Sequence, residues 1–470
     1  MLTIIRSELR GSWPAWLGVA LGFVMTSFAL ALSAMVFQSA FLAREVIVPA
    51  MEADAYLANG GTNFVLSLIV GLSVVASSTE LVVQSRRGAV ARMSLVGSTP
   101  SGVVTTVVSQ LGVVALLSAV IGNLLAVAAV RPALDYLQYE RGAESAGIPT
   151  PAVIDPRVLI GVGVIWVVVA IGAGLRQAWQ ASRIPPVEAL RQAQGAQSNK
   201  IRLGWGRWLR AVLALLMLAI FWGLIPVLAA NRDSETFTQI MQMNVLGLCV
   251  MGWFLAELAP RITRPVTAAW TRLVPTRSPA WTMARATVLA KADRLSRSVV
   301  PVMFSIGLAF GLIVLPASLN AIFRASGFNT QLEHVGVAPF LANLGLALMV
   351  AMSGSIGSLF MMSKQRDADL ALLGIAGATP RQRIATGALE AVMITGTATI
   401  LGALMAVETI AYLSYGATAV KLTFAFEFPL LGVLGTILIT GLATAVPTVL
   451  PSLRSLQLPE PKVVARLIAE

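Results

Sequence analysis

Residues 366–380 read RDADLALLGIAGATP, and residues 86–100 read RRGAVARMSLVGSTP. The two stretches align without a gap at a constant offset of 280 residues, 366 against 86. A repeat of this length organises the whole fold, so it has to be found before single helices are assigned. The identical pairs are Arg86 and Arg366, Ala91 and Ala371, Gly97 and Gly377, Thr99 and Thr379, and Pro100 and Pro380. The chain therefore contains two related halves.

Apolar runs surround both stretches. The chain is 57% hydrophobic and 12% charged, whereas about 25% charge is usual in soluble domains. A run of roughly 20 apolar residues crosses a bilayer as a helix. Runs of this kind lie near 16–37, 64–83, 103–130, 159–175, 211–230, 243–258, 299–319, 337–362, 384–413 and 428–450. We therefore expect an all-α polytopic membrane protein with about ten transmembrane helices.

The repeat divides these ten spans into four, two and four. We expect a first four-helix repeat at 1–195, a two-helix linker at 196–275 and a second four-helix repeat at 276–470. Two inserted spans are an even number, so both repeats keep the same orientation and form a parallel repeat.

The basic residues indicate the orientation. The net charge is +12, and 27 of the 34 lysines and arginines fall on one side of the ten-span arrangement. Lys and Arg are enriched in cytoplasmic loops, which predicts a multi-pass protein of a bacterial cell membrane with both termini cytoplasmic. Topology and attraction to the anionic lipid bilayer account for this charge, so we expect no nucleic-acid partner.

Signatures of catalysis are scarce. The chain has one histidine, His334, and one cysteine, Cys249, which match no metal or nucleophile spacing. A phosphate-binding P-loop needs a Gly-Lys pair, and none occurs in the sequence. We expect no catalytic residue, no metal site and no cofactor in this chain, so any ATP and Mg would bind a partner.

The two repeated stretches predict a helix, a break and a new helix. Gly97 and Gly377 suit the positive φ of a helix C-cap, and Thr-Pro suits an N-cap followed by a proline. The expected product is a short helix across the cytoplasmic mouth of the bundle. A turn with topogenic charges is the simpler alternative for one loop, but duplication favours a docking element. Its residues would be Arg86, Arg87, Arg92, Gly97, Pro100, Arg366, Asp367, Asp369, Gly377, Pro380 and Arg381.

Polar residues inside the spans are the other candidates, because they are costly in hydrocarbon unless they have partners. They are Glu80, Asn123, Glu257, Asn343, Glu390 and Glu408. Glu80, Glu257 and Glu390 are placed near the cytoplasmic ends, where pairing with Arg86 or another neighbour competes with a proton relay. The remaining three are placed deeper or towards the outside. No aromatic cage can be located from the sequence.

The loops resemble those of the FtsX-like permeases of type VII ABC transporters. The matches are Arg366, Asp369 and Gly377–Ala378 in the second half, and Arg86, Arg87 and Gly97 in the first, where Ala89 replaces the acidic residue. SRIPPVEALR, at 182–191, resembles the segment that follows the family's helix bundle. The four-two-four layout is similar to that of bacitracin-exporter permeases, but the outside loops here are short.

The resemblance implies the membrane subunit of an exporter. It would move a hydrophobic or amphiphilic compound, such as an antimicrobial peptide, drug or lipid, and two copies of an ABC ATPase would act on the loops after spans two and eight. Two alternatives remain: a signalling protein that couples ATP hydrolysis to an extracellular partner, and an ion-coupled secondary transporter.

Overall fold

The structure is a computed structural model, and it describes residues 13–46, 50–85, 99–140, 151–182, 205–231, 236–275, 278–327 and 335–455. All regular structure in these residues is helical. The helices are α1 (Trp13–Val46), α2 (Ala50–Ser85), α3 (Pro100–Glu140), α4 (Pro156–Ser182), α5 (Trp205–Asn231), α6 (Thr236–Leu273), α7 (Pro279–Ala290), α8 (Ala292–Ala325), α9 (Ala338–Ile375), α10 (Pro380–Ala419) and α11 (Leu430–Ser455).

Ten of these helices are long and apolar enough to cross a membrane. They correspond to the ten predicted spans, so the all-α polytopic fold is confirmed. The eleventh, α7, has 12 residues and was not predicted. Its buried Trp281 packs edge-on against Trp270 of α6, with ring centroids 6.2 Å apart. Helix α7 therefore depends on a tertiary contact that hydropathy does not encode.

The same packing occurs in both halves. Helices α1 and α8 are central: α1 packs on α2, α3 and α4, and α8 packs on α9, α10 and α11. Gly122 of α3 lies against Ser27 of α1, and Gly402 of α10 lies against Gly307 of α8. Both pairs are related by the offset of 280 residues, so the sequence repeat is also a repeat of helix crossings.

The halves meet where α2 faces its counterpart α9. Val74 and Gly354 are 280 residues apart, and a Cβ at Gly354 would lie 2.5 Å from Val74 Cγ1. Asn63 and Asn343 are also equivalent, and Asn63 Nδ2 donates to the carbonyl of Ala342 at 2.7 Å. Equivalent residues meet only close to a symmetry axis, so a pseudo-twofold axis runs between α2 and α9.

Helices α5 and α6 break this symmetry because they pack mainly on the second repeat. Helix α6 contacts α8 and α10, while α5 contacts α6 and α10. Trp270 of α6 covers Gly396 of α10 and donates through Nε1 to Thr397 Oγ1 at 3.0 Å. The repeat and linker bounds of 195 and 275 stay predictions, because residues 183–204 and 276–277 lie outside the described ranges.

Candidate functional site: the interhelical polar network and the Gly377 turn

The turn between α9 and α10 has the predicted helix, break and helix start. Gly377 has φ +93°, and Ala378 N–H donates to the carbonyl of Leu373 at 2.9 Å, which closes a Schellman-type end. Thr379 and Gln382 form a capping box: Gln382 N–H donates to Thr379 Oγ1 at 3.3 Å, and Thr379 N–H donates to Gln382 Oε1 at 2.9 Å. Pro380 is the first residue of α10, and Arg381 follows it in the exposed first turn.

The predicted short helix across the mouth of the bundle is wrong for this half. Residues 364–375 continue α9 from the span to Ile375 without a break. No proline or glycine interrupts SKQRDADLALL, so the helical hydrogen bonds carry on beyond the apolar run. Arg366, Asp367 and Asp369 lie on this extension.

Less of the first copy is described. Arg86, Arg87, Arg92 and Gly97 lie outside the described residues. Gly102 N–H donates to Thr99 Oγ1 at 3.2 Å, and α3 begins at Pro100. Both stretches therefore begin their second helix with a threonine cap followed by proline.

Glu80 joins three helices at the same end of the bundle as Gly377, which we call the Gly377 end. Its carboxylate lies 2.9 Å from Arg297 Nη2 of α8 and 3.3 Å from Arg207 Nη2 of α5. The predicted ion pairing is confirmed, but with these two arginines. Glu80 lies on α2 five residues before Ser85, so this pairing ties the last turns of α2 to the linker and the second repeat.

Two more carboxylates lie towards this end. Glu257 of α6 accepts two hydrogen bonds from Arg210 of α5, at 2.5 and 2.9 Å, in the forked geometry that guanidinium and carboxylate favour. Glu390 is buried in α10.

The asparagines lie towards the opposite end, which we call the Gly327 end. Asn59 Nδ2 donates to Asn343 Oδ1 at 3.1 Å and so links α2 to α9. Asn123 Nδ2 donates to the carbonyl of Leu159 at 3.0 Å and links α3 to α4. These amides satisfy one another or backbone groups, as packed membrane helices require.

Glu408 of α10 has a different environment. Trp222 Nε1 of α5 donates to its Oε1 at 3.2 Å, while its buried Oε2 has no hydrogen-bond partner among the described residues. The sequence singled out Glu408 but missed Trp222, just as it missed Arg207, Arg210 and Arg297 as partners. Sequence separations of 47 to 217 residues hide these pairs, and no local pattern marks them.

The described residues contain no group of three histidine, cysteine, aspartate or glutamate side chains that could hold a metal ion. What the polar residues do form is a set of links between helices of different repeats. Such links can transmit a displacement from one helix to another.

Comparison with known families supports this description. Residues 62–186 match the model of the FtsX-like permease C-terminal family. The matched interval starts in α2, includes the first loop, and ends just after α4. No match was found among the curated proteins. The FtsX-like family consists of transport subunits that normally work with an ABC ATPase. Residues 62–186 are therefore an FtsX-like permease domain, and the protein is a multi-pass membrane permease of the ABC type.

Proposed function

We propose that the chain is the permease subunit of an ATP-driven exporter that moves a hydrophobic or amphiphilic compound out of the membrane. One observation carries the proposal: two matching loop sequences occur at equivalent positions of two halves that are related by a pseudo-twofold axis. A symmetric pair of docking elements suits two copies of one ATPase. ATP and Mg would then bind to those copies, with the Gly377 end in the bacterial cytoplasm.

Helix α9 supplies a route for coupling. It runs without interruption from the interface of the halves at Gly354 and Gly357 to Ile375 beside the turn. The 21 residues between Gly354 and Ile375 span about 30 Å at 1.5 Å per residue. A push on Arg366, Asp369 or the Gly377 turn would therefore reach the interface along one helix. In the first half, α2 would have the same role, with Glu80 as its link to α5 and α8.

The test is co-purification followed by measurement of ATP hydrolysis. The chain, expressed with the ATPase encoded next to it, is expected to retain two ATPase copies by native mass spectrometry and to stimulate hydrolysis in nanodiscs. Valine at Gly97 or Gly377 should reduce that stimulation. A chain that never retains an ATPase, and whose loop variants behave as wild type, would contradict the proposal.

The other two functions make different predictions. A signalling protein would hydrolyse ATP with its partner but would give no transport or resistance phenotype. A secondary transporter would work without an ATPase and would lose activity when Glu80 or Glu390 becomes glutamine. For the exporter, we expect these two substitutions to be tolerated better than disruption of the loops.

A further inference from the structure

A carboxylate and three aromatic rings meet between α5 and α10. We call Glu408, Trp222, Tyr412 and Tyr415 the Glu408 cluster. Trp222 stands edge-on to Tyr412, with centroids 5.7 Å apart and an interplanar angle of 89°, and it stacks on Tyr415 at 5.9 Å and 16°. Its indole N–H donates to Glu408 Oε1 at 3.2 Å. The cluster therefore presents π faces and a negative group side by side.

The neighbouring residues hold this arrangement in place. The Tyr412 hydroxyl donates to the carbonyl of Phe221 at 3.2 Å, which fixes the ring against α5. On α6, Gly247 leaves room for the acid, since a Cβ there would lie 3.7 Å from Glu408 Oε1. One turn away, the fully buried Asn244 donates through Nδ2 to the carbonyl of Thr409 at 3.2 Å.

Two acceptor atoms at this place are not satisfied by the described residues. Glu408 Oε2 and Asn244 Oδ1 are both buried, and neither has a hydrogen-bond partner within that part of the chain. An acceptor left unpaired in a membrane interior is costly. Both oxygens suit a ligand that brings positive charge or a donor.

The cluster is open towards the lipid. Glu408 and Trp222 are only half-buried, and Tyr415 and Val407 are 43% and 60% exposed. Glu408 precedes the end of α10 at Ala419 by 11 residues, or about 17 Å of helix. With the orientation proposed above, this depth lies in the outer half of the membrane. Aromatic residues at a membrane interface are common, but an interfacial belt does not explain an acid placed beneath them.

We propose that the Glu408 cluster binds the ammonium group of a cationic amphiphile that enters sideways from the outer leaflet. Aromatic faces attract organic cations within about 6 Å, tryptophan most strongly, and aromatic cages recognise quaternary ammonium groups in this way. The Glu408 carboxylate adds a direct charge pair. The role of this ligand as cargo rests on the proposed export function, but the binding site itself does not.

Binding is measured on the full chain in nanodiscs of phosphatidylglycerol, without any ATPase. The probe is radiolabelled hexadecyltrimethylammonium, and its control is the uncharged analogue in which a quaternary carbon replaces the nitrogen. Counts from protein-free nanodiscs are subtracted. Wild type is expected to bind the cation at least about tenfold more tightly than the carbon analogue, as one uncompensated charge pair or cation–π contact implies.

Three variants locate the site. Glu408→Gln keeps the shape and the acceptor for Trp222, and it should abolish the preference for the cation. Trp222→Phe should weaken cation binding severalfold. Glu427→Gln is the matched control, because it removes an exposed carboxylate, ion-paired with Arg324, from the same end of the bundle. It should leave the preference unchanged.

A wild-type chain that binds the two probes equally would overturn the proposal, whether or not the variants fold. An unchanged preference in a folded Glu408→Gln variant would overturn it as well. Added phosphatidylcholine distinguishes the source of the ammonium group: displacement of the probe assigns a lipid headgroup, and retention assigns a non-lipid amphiphile. Cation binding without ATP-driven transport would leave the site in place and reject only the export function. Transport without cation binding would do the reverse.

Discussion

Two glycines determine how closely the halves approach. Gly18 of α1 and Gly357 of α9 place their backbones in direct contact, and a Cβ on either residue would overlap the carbonyl oxygen of the other. In lipid, helices gain little from apolarity alone, so close packing of small residues drives their association. This contact therefore contributes directly to the interface between the repeats.

Gly18→Ala should destabilise the protein by about 1–3 kcal/mol, the usual range for overpacking, because a backbone oxygen cannot move aside as a flexible side chain can. Gly172→Ala is the control, because a Cβ there meets nothing within 4 Å. Thermal unfolding in detergent should show a lower Tm for the first variant alone. Equal Tm values would mean that the interface is looser than described.

Glu80 acts at the same scale through charge. Its side chain and that of Arg297 are 26% and 14% exposed, and so are more sheltered than those of Glu427 and Arg324, which are 51% exposed each. Poor access of water and salt strengthens the attraction between such charges.

A double-mutant cycle of Glu80→Gln with Arg297→Gln should give a coupling energy of about 1–3 kcal/mol. The cycle at Glu427 and Arg324 should give less than about 1 kcal/mol, as is usual for exposed pairs. Unfolding free energies in a single detergent provide both values. Coupling that is no larger at Glu80 would argue against a link between α2 and α8.

At the scale of the element, the end of α9 is decided by backbone conformation. Gly377 and Gly327 both have positive φ, +93° and +79°, and both follow a long helix, but at opposite ends of the bundle. A side chain in this region costs roughly 1–2 kcal/mol. The two sites therefore carry the same strain in different surroundings.

Gly377→Ala and Gly327→Ala should lower stability by similar amounts, about 1 kcal/mol each. Only Gly377→Ala should also reduce stimulation of the partner ATPase, because the proposed docking turn lies there. Parallel measurements of Tm and ATP hydrolysis separate the two effects. If Gly327→Ala impairs hydrolysis equally, the loss reflects instability and not coupling.

The same element explains one wrong prediction. Hydropathy ends a span where polar residues begin, so residues 364–375 looked like a separate short helix. Helical hydrogen bonds are local and do not depend on hydropathy, so α9 continues to Ile375. The cap at Thr379 and Pro380 could be predicted, because capping depends on residues within one turn.

For the whole molecule, the two halves are alike but their surroundings differ. Helices α5 and α6 flank mainly the second repeat and supply Trp222 and Asn244 beside Glu408. The first repeat has no such pair among its described contacts. Two equivalent docking loops can therefore serve a binding site that is present on one side only.

The orientation of the molecule can be tested independently of any partner. The bias of 27 among 34 basic residues predicts a cytoplasmic Gly377 end. Alkaline phosphatase should be active when fused after Gly327 and inactive when fused after Gly377, while a fluorescent protein should show the opposite pattern. The reverse result would place the Glu408 cluster in the inner leaflet and remove entry from the outside.

The amino-acid sequence by itself determined the ten spans, the repeat and the cap at Thr379, because hydropathy, periodicity and capping act over a few residues or one helix. Only the tertiary structure decided which helix faces meet. Glu80 lies against Arg297, and Glu408 lies beneath Trp222, because small residues such as Gly18 and Gly247 allow particular close approaches. In lipid most apolar faces are equivalent, so the sequence alone does not reveal which of them will pack together.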